Sequence, residues 1–299
     1  MVVRTYRYII QLLILVAVGV ILAISQLPDG NLHIIACDVG QGDAILVTYK
    51  NIQILTDGGP DQEVLNCLGR HIPFWDRNIE LIISSHPDSD HSTGLVDVIK
   101  RYNVDKILIN PIDPGTDIYR LLESVVGGRG VGVVNPNRGM VLGLNLIHLD
   151  IVSPSDEMFS KLTIKNEGDK LAKYSIGKDT NSYSIVYKLS FKKFTGLFPG
   201  DIPKEVSDIL STDIAVEGVN YIKIPHHGSA NGLTPNLLKA TMPKVAVISV
   251  GSKNQWGFPA PEILKMLTDN NVTVLRTDKM GDVEVITDGE KIWWKKMVE

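Results

Sequence analysis

The chain has 299 residues, 44% of them hydrophobic and 21% charged, with a formal net charge of −4. That composition suits a globular protein with a sizeable core and excludes a disordered, collagenous or disulfide-scaffold chain. An acidic body also gives no electrostatic footprint for tight duplex binding, so any nucleic-acid contact has to be local or bridged by metal.

Arg4 and Arg7 precede an apolar run over residues 8–24, broken only by Gln11. At about 1.5 Å per residue this run spans roughly 25 Å, the short end for a membrane helix. Ala23-Ile24-Ser25 ahead of Gln26 also fits a signal-peptidase site. Basic residues before the run and no basic cluster behind it place the N-terminus in the cytoplasm and the body outside. We therefore expect residues 1–27 to be a transmembrane anchor or signal segment and residues 28–299 to be one extracytoplasmic domain, secreted if the segment is cleaved.

Apolar runs predict strands over residues 32–37, 44–49, 52–56, 81–84, 106–109, 146–152, 184–191, 195–198, 221–224, 245–250, 272–275 and 283–286. Helical periodicity covers residues 94–102, 117–126, 203–210, 235–240 and 261–270, three of these opening on Pro, which suits a first turn. Strand clusters with βα alternation between them favour two mixed sheets packed face to face with helices outside. The polar stretch 155–180 reads as a long surface loop or flap. Residues 291–296, Lys-Ile-Trp-Trp-Lys-Lys, read as an edge strand with solvated lysines, or as a stacking surface for nucleic acid. Cys37 and Cys67 are small buried hydrophobes or, in an exported body, one disulfide.

Between Ser84 and Gly94 the loop after an apolar strand carries His86, Asp88, Asp90 and His91 within six residues. A polar turn capping the next helix explains one or two of these, but four ligand types after a strand point to a divalent cation. Three more strand ends carry such groups: Thr56-Asp57-Gly58-Gly59, Phe198-Pro199-Gly200-Asp201 and Pro225-His226-His227-Gly228-Ser229. In α/β enzymes the loops beyond the strands build the site.

Together with Cys37-Asp38-Val39-Gly40-Gln41-Gly42-Asp43-Ala44 and Asn181-Ser182-Tyr183-Ser184-Ile185-Val186, these segments resemble the metallo-β-lactamase superfamily. More narrowly, they look like the C-terminal hydrolase domain of ComEC-type competence proteins, in the family's order over nearly the whole body. The resemblance implies an α/β (α+β) metallo-β-lactamase-like αββα sandwich, here with an N-terminal membrane-anchor helix, and makes residues 28–299 a hydrolase domain. Two departures stand out. The usual third-position His is Asp88, and the family's Gly-His-Pro is Gly257-Phe258-Pro259, whose Phe258 is no ligand. The many-helix channel region of that family is also missing.

The family pattern implies that His86 and Asp88 ligate one cation, that Asp90 and His91 ligate a second, and that Asp201 bridges, with His226, His227 or both completing the set. One or two ions are expected, zinc or manganese, because carboxylates suit harder ions. Asp57 is read behind the ligands, orienting one of them. Asp90 and one of the paired histidines, here His226, are the catalytic candidates, and Gly228 with Ser229 is the candidate phosphate contact. The loop from Asp38 to Asp43 is given a structural role as a hairpin. His33, His71 and His148 match no motif.

The function expected is a metal-dependent phosphodiesterase or nuclease acting through metal-activated water on extracytoplasmic single-stranded DNA, tied to the membrane by its N-terminal helix and working beside a separate membrane channel protein. The alternatives are a small-molecule hydrolase acting on a phosphate ester, lactone or β-lactam, and a non-catalytic envelope-anchored binding module.

Overall fold

The computed structural model describes residues 2–164, 171, 173–177 and 179–296. In chain order its first elements are α1 (Val2–Ser25), β1 (Leu32–Ala36), β2 (Ile45–Tyr49), β3 (Ile52–Thr56), α2 (Glu63–His71), β4 (Asn78–Ser84), α3 (Ser89–Arg101), β5 (Asn103–Ile109) and β6 (Ile112–Asp113). Next come α4 (Asp117–Arg129), β7 (Gly132–Val134), β8 (Val141–Leu144), β9 (Ile147–Ser153), α5 (Asp156–Ser160), β10 (Thr163–Ile164), β11 (Tyr174–Ser175), β12 (Val186–Phe191) and β13 (Phe194–Phe198). The remainder is α6 (Lys204–Leu210), β14 (Tyr221–Lys223), α7 (Pro235–Thr241), β15 (Val245–Ile248), α8 (Pro261–Asp269), β16 (Thr273–Arg276), α9 (Thr277–Met280), β17 (Val283–Thr287) and β18 (Ile292–Lys296).

Two large mixed sheets carry the body. One has eight strands in the order β18-β17-β1-β2-β3-β4-β5-β7, the other seven in the order β16-β15-β14-β13-β12-β9-β8. The period-two alternation of the strands explains the layering. In β4, Leu81 and Ile83 face the core between the sheets, where Tyr187, Leu189 and Phe198 meet them. Ile82, pointing the other way, packs with Leu95, Val98 and Ile99 of α3. In the second sheet Tyr221 and Val245 face inward, while Ile222 and Ala246 pack outward against Leu237 of α7 and Ile263 of α8. The result is the expected αββα sandwich.

Several expectations change in detail. Helix α3 begins at Ser89, five residues before the expected start, because Asp88 takes the extended backbone of an N-cap; this puts Asp90 and His91 in its first turn. Helix α2 was not anticipated: its apolar face is only Val64, Cys67 and Leu68. The stretch read as a loop over 155–180 holds α5, β10 and β11, the last two forming a small sheet with β6; residues 165–170, 172 and 178 of that stretch lie outside the described residues. Strands β7 and β8 extend the two sheets beyond the expected runs, and the tail is the edge strand β18, paired antiparallel to β17.

Helix α1 is long and apolar enough to cross a membrane, with a 19-residue window, Tyr6–Ile24, none of which is buried against the body. Cys37 and Cys67 form a disulfide that ties the loop after β1 to α2. Closing a loop of 30 residues limits the unfolded ensemble, and Cys67→Ser is expected to lower stability by about 2–4 kcal/mol. Denaturant unfolding should show that loss, and a reducing agent should reproduce it in the parent protein only.

Candidate metal centre

The polar segments converge because β3 runs parallel to β4, and β13 runs parallel to β14 and β15. Parallel strands end on one side of a sheet, so Asp57, Ser85, His86, Asp201, His227 and Ser249 are delivered to a shared edge. Close approach of the β3 loop to α3 needs two glycines: a Cβ on Gly94 would lie 1.9 Å from the Gly58 carbonyl oxygen.

Four donor atoms face one another here. Asp201 Oδ2 is 3.3 Å from His91 Nε2 and 3.2 Å from His227 Nε2. Asp90 Oδ2 is 3.5 Å from His227 Nε2 and 4.0 Å from His91 Nε2. Both Nε2 atoms are buried and lack a hydrogen-bond partner, so their proximity to Asp201 is not hydrogen-bond alignment. The edge of a tetrahedron with bonds of about 2.0–2.1 Å is about 3.3 Å, close to the two distances from Asp201 Oδ2 to the imidazoles, while Asp90 stands somewhat further off. The donors thus fit a divalent cation. His86, buried, joins His91 and Asp201 in a second grouping, and its Nε2 lies 3.8 Å from Asp88 Oδ2. Asp88 and Asp90 sit at the rim, with Asp88 accepting a hydrogen bond from the Thr180 hydroxyl.

The chain sets the tautomers of both ligand imidazoles. His91 Nδ1 donates to Asp57 Oδ2 at 2.8 Å, and Asp57 is held by Ser85 through the backbone N–H (2.7 Å) and the hydroxyl (2.6 Å). His227 Nδ1 donates to the Ser249 carbonyl at 3.0 Å. In each case Nε2 is the nitrogen left facing the donor set, free to give its lone pair to a cation once deprotonated.

Two residues in the site were not anticipated in it. Lys223, 1% exposed, places its ammonium between Asp43 Oδ2 and Asp201 Oδ1, the latter at 3.0 Å. Asp43 is therefore part of the centre rather than only a hairpin residue, with its Oδ1 3.5 Å from His227 Nδ1. A lysine inside the apolar run at 221–224 was the available signal, since lysine is seldom fully buried unpaired.

The paired histidines separate. His226 and His227 both adopt left-handed backbone, φ 52° and 53°, and their rings stand 75° apart. His227 joins the donor set, whereas His226 falls in none of the ligand groupings among the described residues and contributes its backbone N–H to Asp201 Oδ1 at 3.2 Å. Of the pair left open above, His227 is therefore the one placed among the other donor atoms. Ser229 spends its N–H on the His226 carbonyl and accepts from Asn231 N–H, so it shapes the turn, leaving only its hydroxyl hydrogen for a phosphate. A further grouping, Cys67, His71 and Asp282, is closed to metal because Cys67 is in the disulfide.

Charge explains the electrostatics. Burial opposes ionisation throughout, yet Asp201 and Asp57 hold His91 well above the ordinary imidazole range, and Asp201 and Asp43 do the same for His227. Burial raises the Asp90 carboxyl, but His227 and His91 bring it down to about 2. Burial and the neighbouring His91 push His86 down. The carboxylates thus demand more positive charge than Lys223 supplies, and protons on two imidazoles meet that demand where a cation otherwise would.

The architecture and this edge-on cluster define the metallo-β-lactamase fold. The structure superposes on the metallo-β-lactamase fold protein YhfI of Bacillus subtilis with TM-score 0.51 at 10% identity, covering 88% of this chain and all (100%) of that one. A diiron β-hydroxylase, CmlA of Streptomyces venezuelae, matches with TM-score 0.50 at 14% identity over 83% of this chain and 53% of that one. In sequence the chain is similar to ComE operon protein 3 of Bacillus subtilis, 23% identical over 265 residues, and to Recombination protein 2 of Haemophilus influenzae, 26% identical over 270 residues. These matches cover 83% and 89% of this chain but 32% and 30% of the relatives, so the chain spans about a third of their length. No protein-family model matches. The metallo-β-lactamase fold is shown by the structural likeness and the similarity to ComEC-like proteins by sequence, while a fold shared with a hydroxylase leaves the reaction to the site.

Zinc or manganese at about a hundredfold over Kd should stabilise the full chain by about 2.7 kcal/mol, with release of protons and weaker binding as pH falls, because cation and protons compete for His91 and His227. Thermal shift and calorimetry read both effects. Asp201→Ala should abolish the shift. Lys223→Met, by leaving two buried carboxylates uncompensated, should cost about 3–5 kcal/mol in the ion-free protein.

Proposed function

We propose that the chain is a metal-dependent phosphodiesterase that cuts single-stranded DNA outside the cytoplasm. The cluster of buried His91, Asp201 and His227 with Asp90 at its rim carries this reading, and the ComEC-like sequence relatives favour DNA as substrate. Those residues would hold a divalent ion, whose Lewis acidity would serve to polarise a phosphoryl oxygen and acidify water. Asp57 and Ser249 hold the imidazoles in the ligating tautomer, and Lys223 occupies Asp201 Oδ1 so that Oδ2 faces the donors. His86 with Asp88 offers a second position. Water oxygen would bond to phosphorus as its proton leaves to solvent, the P–O bond to the leaving group would break, and His226, outside the donor set and held toward the neutral form by burial, would relay a proton taken up from solvent to the leaving oxygen.

Residues 1–27 are the anchor in this reading and residues 28–299 the hydrolase domain. The Cys37–Cys67 disulfide supports an extracytoplasmic body, since such bonds persist in oxidising compartments. The exposed apolar face of α1, with Arg4 and Arg7 at its start, supports a cytoplasmic N-terminus. A channel protein beside it would supply the strand.

Full-length protein in detergent, loaded with Mn²⁺, Zn²⁺ or Mg²⁺, is expected to cut single-stranded DNA. Asp57→Asn should slow cutting about 10- to 100-fold, Asp90→Ala at least as much, and His226→Ala about 10²- to 10⁴-fold with the metal still bound. If no ion supports cleavage of DNA or a model phosphodiester, or if Asp90→Ala cuts at the parental rate, the reading fails.

A further inference from the structure

The loop that follows β15 runs from Ser249 past the departure from the family's Gly-His-Pro. There Phe258 turns its ring toward His226, with centroids 6.0 Å apart and planes at 69°. Trp256 stacks on Phe258 at 6.4 Å and 19°, and Trp256 is 64% exposed. A ladder of two aromatic rings therefore leads from solvent to the histidine assigned to the leaving oxygen.

The ladder is held from both sides. Asn254 accepts the Phe258 N–H at 2.8 Å and donates to the carbonyls of Phe258 and Gly251, both at 2.9 Å. Gly251 N–H donates to the Gln41 side chain at 3.2 Å, tying the loop to the segment that carries Asp43. On the other side Ala260 N–H donates to the Gly228 carbonyl at 2.8 Å. Gly228, with φ of 80°, lies so close that a Cβ there would come within 2.6 Å of Pro259. Bracing of the backbone on either side of Trp256 reduces the loop-ordering cost of binding, leaving mainly the side chain's own rotamer freedom to be lost. Lys253, three residues before Trp256, is exposed and has no carboxylate partner among the described residues.

We propose that Trp256 and Phe258 form a stacking platform for a nucleobase beside the scissile phosphodiester, with Lys253 meeting a backbone phosphate, so that the substrate is a single-stranded polynucleotide. Placing the scissile phosphate rests on the phosphodiesterase reading; the platform itself rests on the ring geometry. Net charge favours stacking as the source of affinity. A chain of net charge −4 repels a polyanion, whereas base–aromatic stacking is sequence-tolerant and worth about 1–3 kcal/mol per base. Bases in a duplex are already stacked on each other, so the platform selects single strands. The substitution of a ring for an imidazole at Phe258 then exchanges a ligand for a substrate contact.

The test is fluorescence anisotropy of a labelled oligothymidylate with the full-length protein in detergent and EDTA. Trp256→Ala, at an exposed position that leaves the melting temperature unchanged, should weaken binding about tenfold or more, Trp256→Phe should retain most of it, and Trp294→Ala on the edge strand should match the parent. An abasic oligomer should bind the parent as weakly as it binds Trp256→Ala. Equal affinity of parent and Trp256→Ala for the oligothymidylate, no binding by the parent, or tight binding of the abasic strand would each overturn the proposal. Cleavage with added metal is scored separately. Cutting that persists with no affinity change in Trp256→Ala sinks the platform alone, while the expected affinity loss without cleavage under any ion sinks the phosphodiesterase reading and leaves the platform as a binding surface.

Discussion

Asp43 and Asp201 are both buried, and one ammonium, from Lys223, lies between them. Removing charges from water is costly unless they are paired, and one lysine does not neutralise the carboxylates of Asp43, Asp57, Asp90 and Asp201 gathered at this edge. The deficit is a property of the folded chain, present before any ligand arrives. It raises His91 and His227 toward the protonated state and makes the edge a place where a divalent cation replaces protons. Folding and ligand binding are thereby linked through one charge balance.

That balance depends on the two sheets being stacked with their parallel strand ends flush. The inner core sets the sheet separation through large side chains such as Tyr187, Phe198 and Tyr221. Tyr187 also exchanges a hydrogen bond with Thr56 at 2.7 Å, joining the sheets directly below Asp57. The disulfide fastens the segment leading to Asp43, and Asp282 adds to this by accepting the Asp38 N–H while pairing with Arg70 and His71. Rigid positioning matters because donors displaced by an ångström no longer share an ion.

The loop after β15 sets an aromatic pair beside the donor cluster. The scaffold keeps the turn at Gly228 against Pro259, and the ring of Phe258 faces His226 from the same loop. Chemistry and recognition occupy adjacent loops, so either can vary while the charge-compensated edge is preserved.

The sequence by itself determined the layers and named most of the groups that gather at this edge. Strand periodicity in segments such as Leu81-Ile82-Ile83 sorts side chains to opposite faces whatever the rest of the chain does, and the six ordered motifs carried the αββα architecture. It also placed Asp57, His86, Asp90, His91, Asp201 and His227 at strand ends. Only the tertiary structure decided who meets whom. Asp43 and Lys223 are 180 residues apart, and no local pattern encodes their pairing. The choice of His227 over His226 as the donor turns on two left-handed residues whose rings diverge, and the earlier start of α3 turns on Asp88 adopting a cap. Local propensity is set by neighbouring residues, whereas compensation of buried charge is settled by groups that only folding brings within a few ångströms.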